Sequence, residues 1–100
     1  MRDFQNVQEW LYEVSQSDLA ANTRLMLFAL SLFADRSGEG ITASIGTLAE
    51  RTGLSKPSVI KHLKSAEGAG WICVKRDEAN GARIKRNEYS LKLPDVGGAA

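Results

Sequence analysis

The segment from residue 47 to residue 63, TLAERTGLSKPSVIKHL, constrains the fold more than any other part of the chain. Its pattern predicts a short helix, a tight turn at Gly53, and a second helix whose start is capped by the Ser55 hydroxyl. Glycine suits the turn because it adopts the left-handed backbone conformation at little cost. The apolar positions expected to join the two helices are Leu48, Ala49, Val59 and Leu63. This spacing predicts a helix-turn-helix.

Two more helices are predicted before this segment. The first covers about residues 3–15, because apolar residues recur there at spacings of three and four, with Trp10 beside them. The residues of this face are Phe4, Val7, Leu11 and Val14. Asn22 is expected to cap a second helix over about residues 23–35, which is apolar on nearly every side. Such a helix needs cover on two faces, so we expect the first helix on one side and the helix-turn-helix on the other.

The last third of the chain predicts a β-hairpin. Residues 71–76 are aromatic and β-branched, residues 84–93 alternate in their second half, and Asn80-Gly81 between them is typical of a tight turn. Residues 41–43 are short and β-prone. Ser44 is expected to cap a helix over about residues 45–52, and the next helix is expected to run from Lys56 to about residue 69.

This order of elements is that of a winged helix-turn-helix, with the hairpin as the wing. The predicted fold class is therefore α+β, mostly α: a three-helix core and a β-hairpin wing, with an extra N-terminal helix. We expect an N-terminal helix extension at residues 1–19, the winged helix-turn-helix domain at 20–94, and a flexible tail or linker start at 95–100.

Several motifs resemble those of the winged helix-turn-helix domains of phage and plasmid replication proteins. They are LAERTGLS at residues 48–55, Val59 and Leu63, Gly70-Trp71-Ile72, and KRNEY at residues 85–89. The LA-x-x-x-G-L-S core is shared more loosely with MarR-type bacterial regulators. The resemblance covers about residues 20–93 and implies a DNA-binding domain of bacterial or phage origin. Ala66, where such domains usually carry leucine, and the helix before residue 20 depart from the pattern.

The helix predicted to begin at Lys56 has an apolar side, which suits the core, and a polar side, which suits a binding partner. At 100° per residue, Val59, Leu63 and Ala66 lie within about 60° of arc and are expected to be buried. The other side is expected to enter the major groove of double-stranded DNA, with Ser58 and Lys61 as candidates for base contacts. The DNA-binding residues expected on this helix are Ser55, Lys56, Pro57, Ser58, Lys61, His62, Lys64 and Ser65. A half-buried packing role for His62 is equally consistent with its position.

Charge is distributed unevenly. The formal net charge is only +1, but residues 1–50 carry −4 and residues 51–100 carry +5. A basic region of this kind suits phosphate binding. The wing residues expected to contact DNA are Lys75, Arg76, Arg83, Lys85 and Arg86. Asp77 and Glu78 in the same hairpin oppose nonspecific binding.

Other classes of function receive little support. The single cysteine, Cys73, excludes an intramolecular disulfide, and its apolar neighbours predict a buried thiol. No carboxylate cluster, metal-ligand spacing or phosphate loop is present, so we expect no enzyme activity, no cofactor and no metal. No signal peptide or membrane-spanning run is visible, which predicts a cytoplasmic location in a bacterial or phage-infected cell.

The sequence therefore predicts sequence-specific binding of double-stranded DNA. The leading role is the origin-binding domain of a phage or plasmid replication initiator, which would have a further domain or a replication protein as partner. A small transcriptional regulator and a winged-helix module that docks proteins remain alternatives. Homodimer formation is a further hypothesis, and the candidate residues for its seam are Trp10, Tyr12, Phe28 and Phe33.

Overall fold

The computed structural model describes residues 4–76 and 87–94 of the chain. Its elements in chain order are α1 (Val7–Gln16), α2 (Ala21–Ser31), β1 (Ile41–Ala43), α3 (Ile45–Thr52), α4 (Lys56–Gly68), β2 (Ile72–Lys75) and β3 (Asn87–Leu91). The predicted fold class is confirmed: four helices and a small antiparallel sheet form a winged helix-turn-helix with an extra N-terminal helix.

The sheet has three antiparallel strands in the order β1-β3-β2. Tyr89 on β3 lies opposite Ile41 on one side and Val74 on the other, and Ile72 lies opposite Leu91. The helices cover one face of the sheet, where Ile41, Tyr89 and Leu91 are buried. The short β-prone segment therefore becomes the third strand. The predicted Asn80-Gly81 turn and the first residues of the predicted second strand lie outside the described residues.

Helix α1 is part of the core. Trp10 and Val14 are fully buried. The indole Nε1–H of Trp10 donates to the carbonyl oxygens of Lys92 at 2.7 Å and Trp71 at 3.3 Å. The rings of Trp10 and Trp71 meet edge to face, with centroids 6.4 Å apart. The helix begins later than predicted, at Val7, because the Asn6 side chain accepts the backbone N–H of Glu9 and caps it there.

The predicted limits of the second helix are wrong at both ends. Asn22 does not cap α2; the helix starts at Ala21, and Ala20 at its cap position makes no side-chain capping hydrogen bond. The start is held instead by Arg24, whose Nε–H donates to the Leu19 carbonyl oxygen at 2.9 Å. The helix ends at Ser31, because the N–H groups of the next three residues bond to carbonyls three residues back and so tighten the chain into turns.

The predicted burial of Cys73 is also wrong. Its side chain is exposed, although Ile72 before it is buried and Val74 after it is half-buried. Successive side chains of a strand point to opposite faces of the sheet, and only one face is covered by helices. Cys73 lies opposite Ser90 on the uncovered face. An apolar run of four residues was therefore insufficient to show burial on both sides.

Candidate nucleic-acid interface

The turn between α3 and α4 is fixed by local backbone chemistry. Gly53 ends α3 in the left-handed conformation, with φ +76°, and its N–H donates to the Ala49 carbonyl at 2.9 Å. The Ser55 hydroxyl then accepts the Ser58 N–H at 3.2 Å and caps α4. Both predicted caps and the start of both helices are confirmed, Ser44 capping α3 in the same way. The first turn of α4 is thereby held at a defined angle to α3.

The two sides of α4 are those expected from its sequence. Val59, Leu63 and Ala66 are buried against the core. Six of the eight residues expected to contact DNA are exposed, namely Ser55, Lys56, Pro57, Lys61, Lys64 and Ser65, and the other two, Ser58 and His62, are half-buried. Lys56, Lys61 and Lys64 form no ion pair with any described residue. The outward side of α4 therefore carries three lysines whose charges are not paired by any described residue.

His62 is half-buried at the edge of this surface, on the side that faces α2. Its Nδ1 atom lies 2.9 Å from the Thr23 hydroxyl, and Thr23 itself is buried. The packing role considered for His62 is thus supported, because Nδ1 faces the interior of the protein and contacts Thr23. No described residue forms a hydrogen bond with the other ring nitrogen, Nε2.

Arg76, which follows β2 at the base of the wing, forms an ion pair with α4. Its guanidinium binds the Glu67 carboxylate, with Nη2 to Oε1 at 2.9 Å, and this ion pair raises the pKa of Arg76 above its ordinary value. Lys75 is exposed and lies opposite Glu88 on β3. Arg83, Lys85 and Arg86, with Asp77 and Glu78, lie outside the described residues.

A groove of about 290 Å³ separates α4 from the sheet. It is lined by apolar residues, with cations and an amide at its rim: Ile45, Ile60, Leu63, Lys64, Val74, Arg76, Asn87 and Tyr89. Burial raises the pKa of the Tyr89 phenol, and Asn87 Nδ2 donates to its oxygen at 3.3 Å. Ile60 is not among the residues predicted to contact DNA. Its side chain is 42% exposed beside Lys64, which a helical projection alone could have suggested.

The residues considered for a dimer seam are not equivalent. Trp10 must be removed from that set, because it is fully buried within its own chain. Tyr12 is 63% exposed on α1, Phe28 is exposed on α2, and Phe33 is partly buried against the core. Leu32, the residue that follows α2, is 69% exposed.

Every helix within residues 4–76 and 87–94 is too short or too polar to span a lipid bilayer. In the same part of the chain, no group of three histidine, cysteine or acidic side chains is placed to hold a metal ion.

The capped turn, the buried and cationic sides of α4, and the sheet beside it define a helix-turn-helix domain of the winged type. Comparison with known families agrees: a family described as a helix-turn-helix domain matches residues 15–72, and the chain belongs to it. A similar solved structure is TubR bound to 24 bp of tubC from Bacillus thuringiensis serovar israelensis pBtoxis, at 23% identity. The match covers 98% of this chain and 90% of that one, with a TM-score of 0.47. No curated protein matches the chain.

Proposed function

We propose that the chain binds double-stranded DNA sequence-specifically, with α4 as the recognition helix in the major groove. The observation that carries this proposal is the outward side of α4, where Lys56, Lys61 and Lys64 are exposed and form no ion pair within residues 4–76 and 87–94. The opposite side of the same helix is buried against the core, so the helix presents these charges as a rigid unit.

The residues of α4 have different proposed roles. Lys61, at the centre of the outward side, is placed to donate to guanine O6 and N7, and Ser58 to contact a base near the helix start. Lys56, Lys64, Pro57 and Ser65 border the DNA backbone, and the N-terminus of α4 with Ser55 suits a phosphate. In the wing, Lys75 and the predicted Arg83, Lys85 and Arg86 would contact phosphates or the adjacent minor groove, where arginine is favoured. Arg76 would have to leave Glu67 to join them.

Fluorescence anisotropy with a labelled random 25-bp duplex, titrated with salt, tests this proposal. Each phosphate contact contributes about −0.9 to the slope of log affinity against log salt. Lys61→Ala is expected to make the slope shallower by about that amount. Arg36→Ala removes the same charge from the loop after α2 and is the matched control, expected to leave the slope unchanged. Absence of binding at low salt would overturn the proposal and favour a protein-docking module.

For the biological role, we propose origin binding in a phage or plasmid replication initiator. The support is the resemblance carried by LAERTGLS and KRNEY. A transcriptional regulator would use the same interface, so the roles differ in the location of the DNA site. Selection of a binding site from a random library, followed by mapping of that site, separates them. A site within a replication origin supports initiation, whereas a site overlapping a promoter contradicts it and favours regulation.

We further propose that two copies associate through α2. Ala21, Leu25, Phe28 and Leu32 recur at spacings of four, three and four residues, the pattern of a helix–helix seam. Three of them are exposed, Leu25 is half-buried, and none is charged. A stripe of this kind is complementary to itself about a two-fold axis. Sedimentation equilibrium should show concentration-dependent dimers that Leu32→Glu abolishes and Gln16→Glu on α1 does not. A monomer at all concentrations, free and on DNA, would contradict this.

A further inference from the structure

We propose that Thr23, on α2, is a positioning residue that holds His62 of the recognition helix so that its Nε2–H faces DNA. This inference rests on the proposed DNA-binding function and adds a residue to it that makes no contact with DNA itself.

Thr23 is the buried polar residue of the described core. Its side chain is 3% exposed, and its Oγ1 lies 2.9 Å from His62 Nδ1, across the contact between α2 and α4. The two residues are 39 positions apart in the chain. The pair therefore links α2 to the recognition helix α4 by a specific polar contact.

Which of the two groups donates, the Thr23 hydroxyl or His62 Nδ1, follows from where the hydroxyl proton can go. The Thr23 hydroxyl has no second partner among the described residues. If His62 donated from Nδ1, the hydroxyl proton would remain buried without an acceptor, which is costly. If Thr23 donates to Nδ1, both groups are satisfied. We therefore assign Nδ1 as the acceptor and the ring proton to Nε2, the assignment being made from the hydrogen-bond network.

The remaining ring nitrogen is available to a partner. Nε2 has no hydrogen-bond partner among the described residues, yet none of their buried side-chain nitrogen or oxygen atoms is without one. Nε2 therefore reaches solvent. His62 follows Lys61 directly and lies one turn after Ser58, at the edge of the surface proposed to meet DNA. An N–H donor held at this edge suits an acceptor oxygen or nitrogen of DNA.

Holding the ring by Thr23 matters because a free imidazole divides its population between two tautomers and several orientations. Only one tautomer places the donor on Nε2, and ordering the ring on binding costs affinity. Because the Thr23 contact already orders the imidazole in the free protein, DNA binding does not have to order it. Loss of the Thr23 hydroxyl should therefore weaken DNA binding even though Thr23 is buried.

The test uses the fact that the chain contains one histidine. Long-range ¹H–¹⁵N correlation spectra of the free protein report its tautomer without ambiguity. The wild type should show the Nε2–H form, Thr23→Val a mixture, and Thr23→Ser the wild-type pattern. DNA affinity should fall about three- to tenfold in Thr23→Val. It should be largely restored in Thr23→Ser, which keeps the hydroxyl.

A double-mutant cycle completes the test. His62→Ala should weaken binding to a similar degree, and adding Thr23→Val to it should have no further effect. An equal loss on all DNA sequences indicates a phosphate acceptor, and a loss confined to the selected site indicates a base; both support the proposal. Thermal unfolding monitors the fold of each variant.

Two results would overturn the inference. One is the Nδ1–H tautomer in the wild type, and the other is wild-type DNA affinity in a folded Thr23→Val variant. Failure of the proposed function is a different result. In that case the wild type does not bind DNA at all, while the tautomer measured in the free protein still reports on the Thr23 contact.

Discussion

At the scale of single residues, Trp10 joins α1 to the far end of the chain. Its indole N–H donates to carbonyls of Trp71 and Lys92, 61 and 82 positions away. Trp10→Phe removes this donor and leaves space that a smaller ring does not fill. We expect a loss of about 2–3 kcal/mol in the free energy of unfolding, measured by urea denaturation followed by circular dichroism.

The matched control for this substitution is Tyr12→Phe, two positions along the same helix. Tyr12 is exposed, so its change should stay within about 0.5 kcal/mol. Equal stability of Trp10→Phe and the wild type would show that the indole hydrogen bonds contribute nothing to folding.

Single residues also show which features the sequence could predict. The buried side of α4 was predictable because Val59, Leu63 and Ala66 share a face whatever the rest of the fold does. Trp10 was placed only beside an apolar face, since the acceptors for its N–H come from distant segments. Thr23 gave no signal at all, because its significance depends on a contact with His62 that only the packing of α2 on α4 creates.

At the scale of the elements, the caps of the helix-turn-helix are local, and this explains why they were predictable. Ser44, Gly53 and Ser55 act within three or four residues of their own positions. The start of α2 was mispredicted at Asn22 because a good capping residue was available but the Arg24 contact with Leu19 began the helix earlier. Local rules predict an element boundary when no competing contact is nearby.

Gly53 and Gly68 give a prediction that isolates backbone conformation. A Cβ at either position would meet nothing within 4 Å, so neither substitution to alanine creates a clash. Gly53 has φ +76°, which alanine adopts with strain, whereas Gly68 is helical. We expect Gly53→Ala to lower the free energy of unfolding by about 1 kcal/mol and Gly68→Ala to raise it by about 0.5–1 kcal/mol. Chemical denaturation measures both, and changes of the same sign would contradict this account.

At the scale of the whole molecule, α1 and the helix-turn-helix share one core. The family match begins at residue 15, whereas the buried Trp10 and Val14 precede it. The sheet also joins distant parts of the chain, because β1 pairs with β3 although more than forty residues separate them. Sequence patterns identified each part, but the dependence of one part on another arises only from long-range packing. The predicted boundary between residues 1–19 and 20–94 therefore needs an experimental test.

A chain that begins at residue 20 provides that test. Removing α1 exposes the surfaces that Trp10 and Val14 cover, and their burial is worth about 5 kcal/mol. Domains of this size are stable by only about 5–15 kcal/mol, so the shortened chain should lose cooperative unfolding and dispersed amide resonances. A synthetic peptide of residues 1–19 should restore both when added in excess, because it can reoccupy the same surface. The peptide with Trp10→Ala should fail to do so. A shortened chain that folds with wild-type stability would show that α1 is a separable extension and that residues 20–94 suffice for the fold.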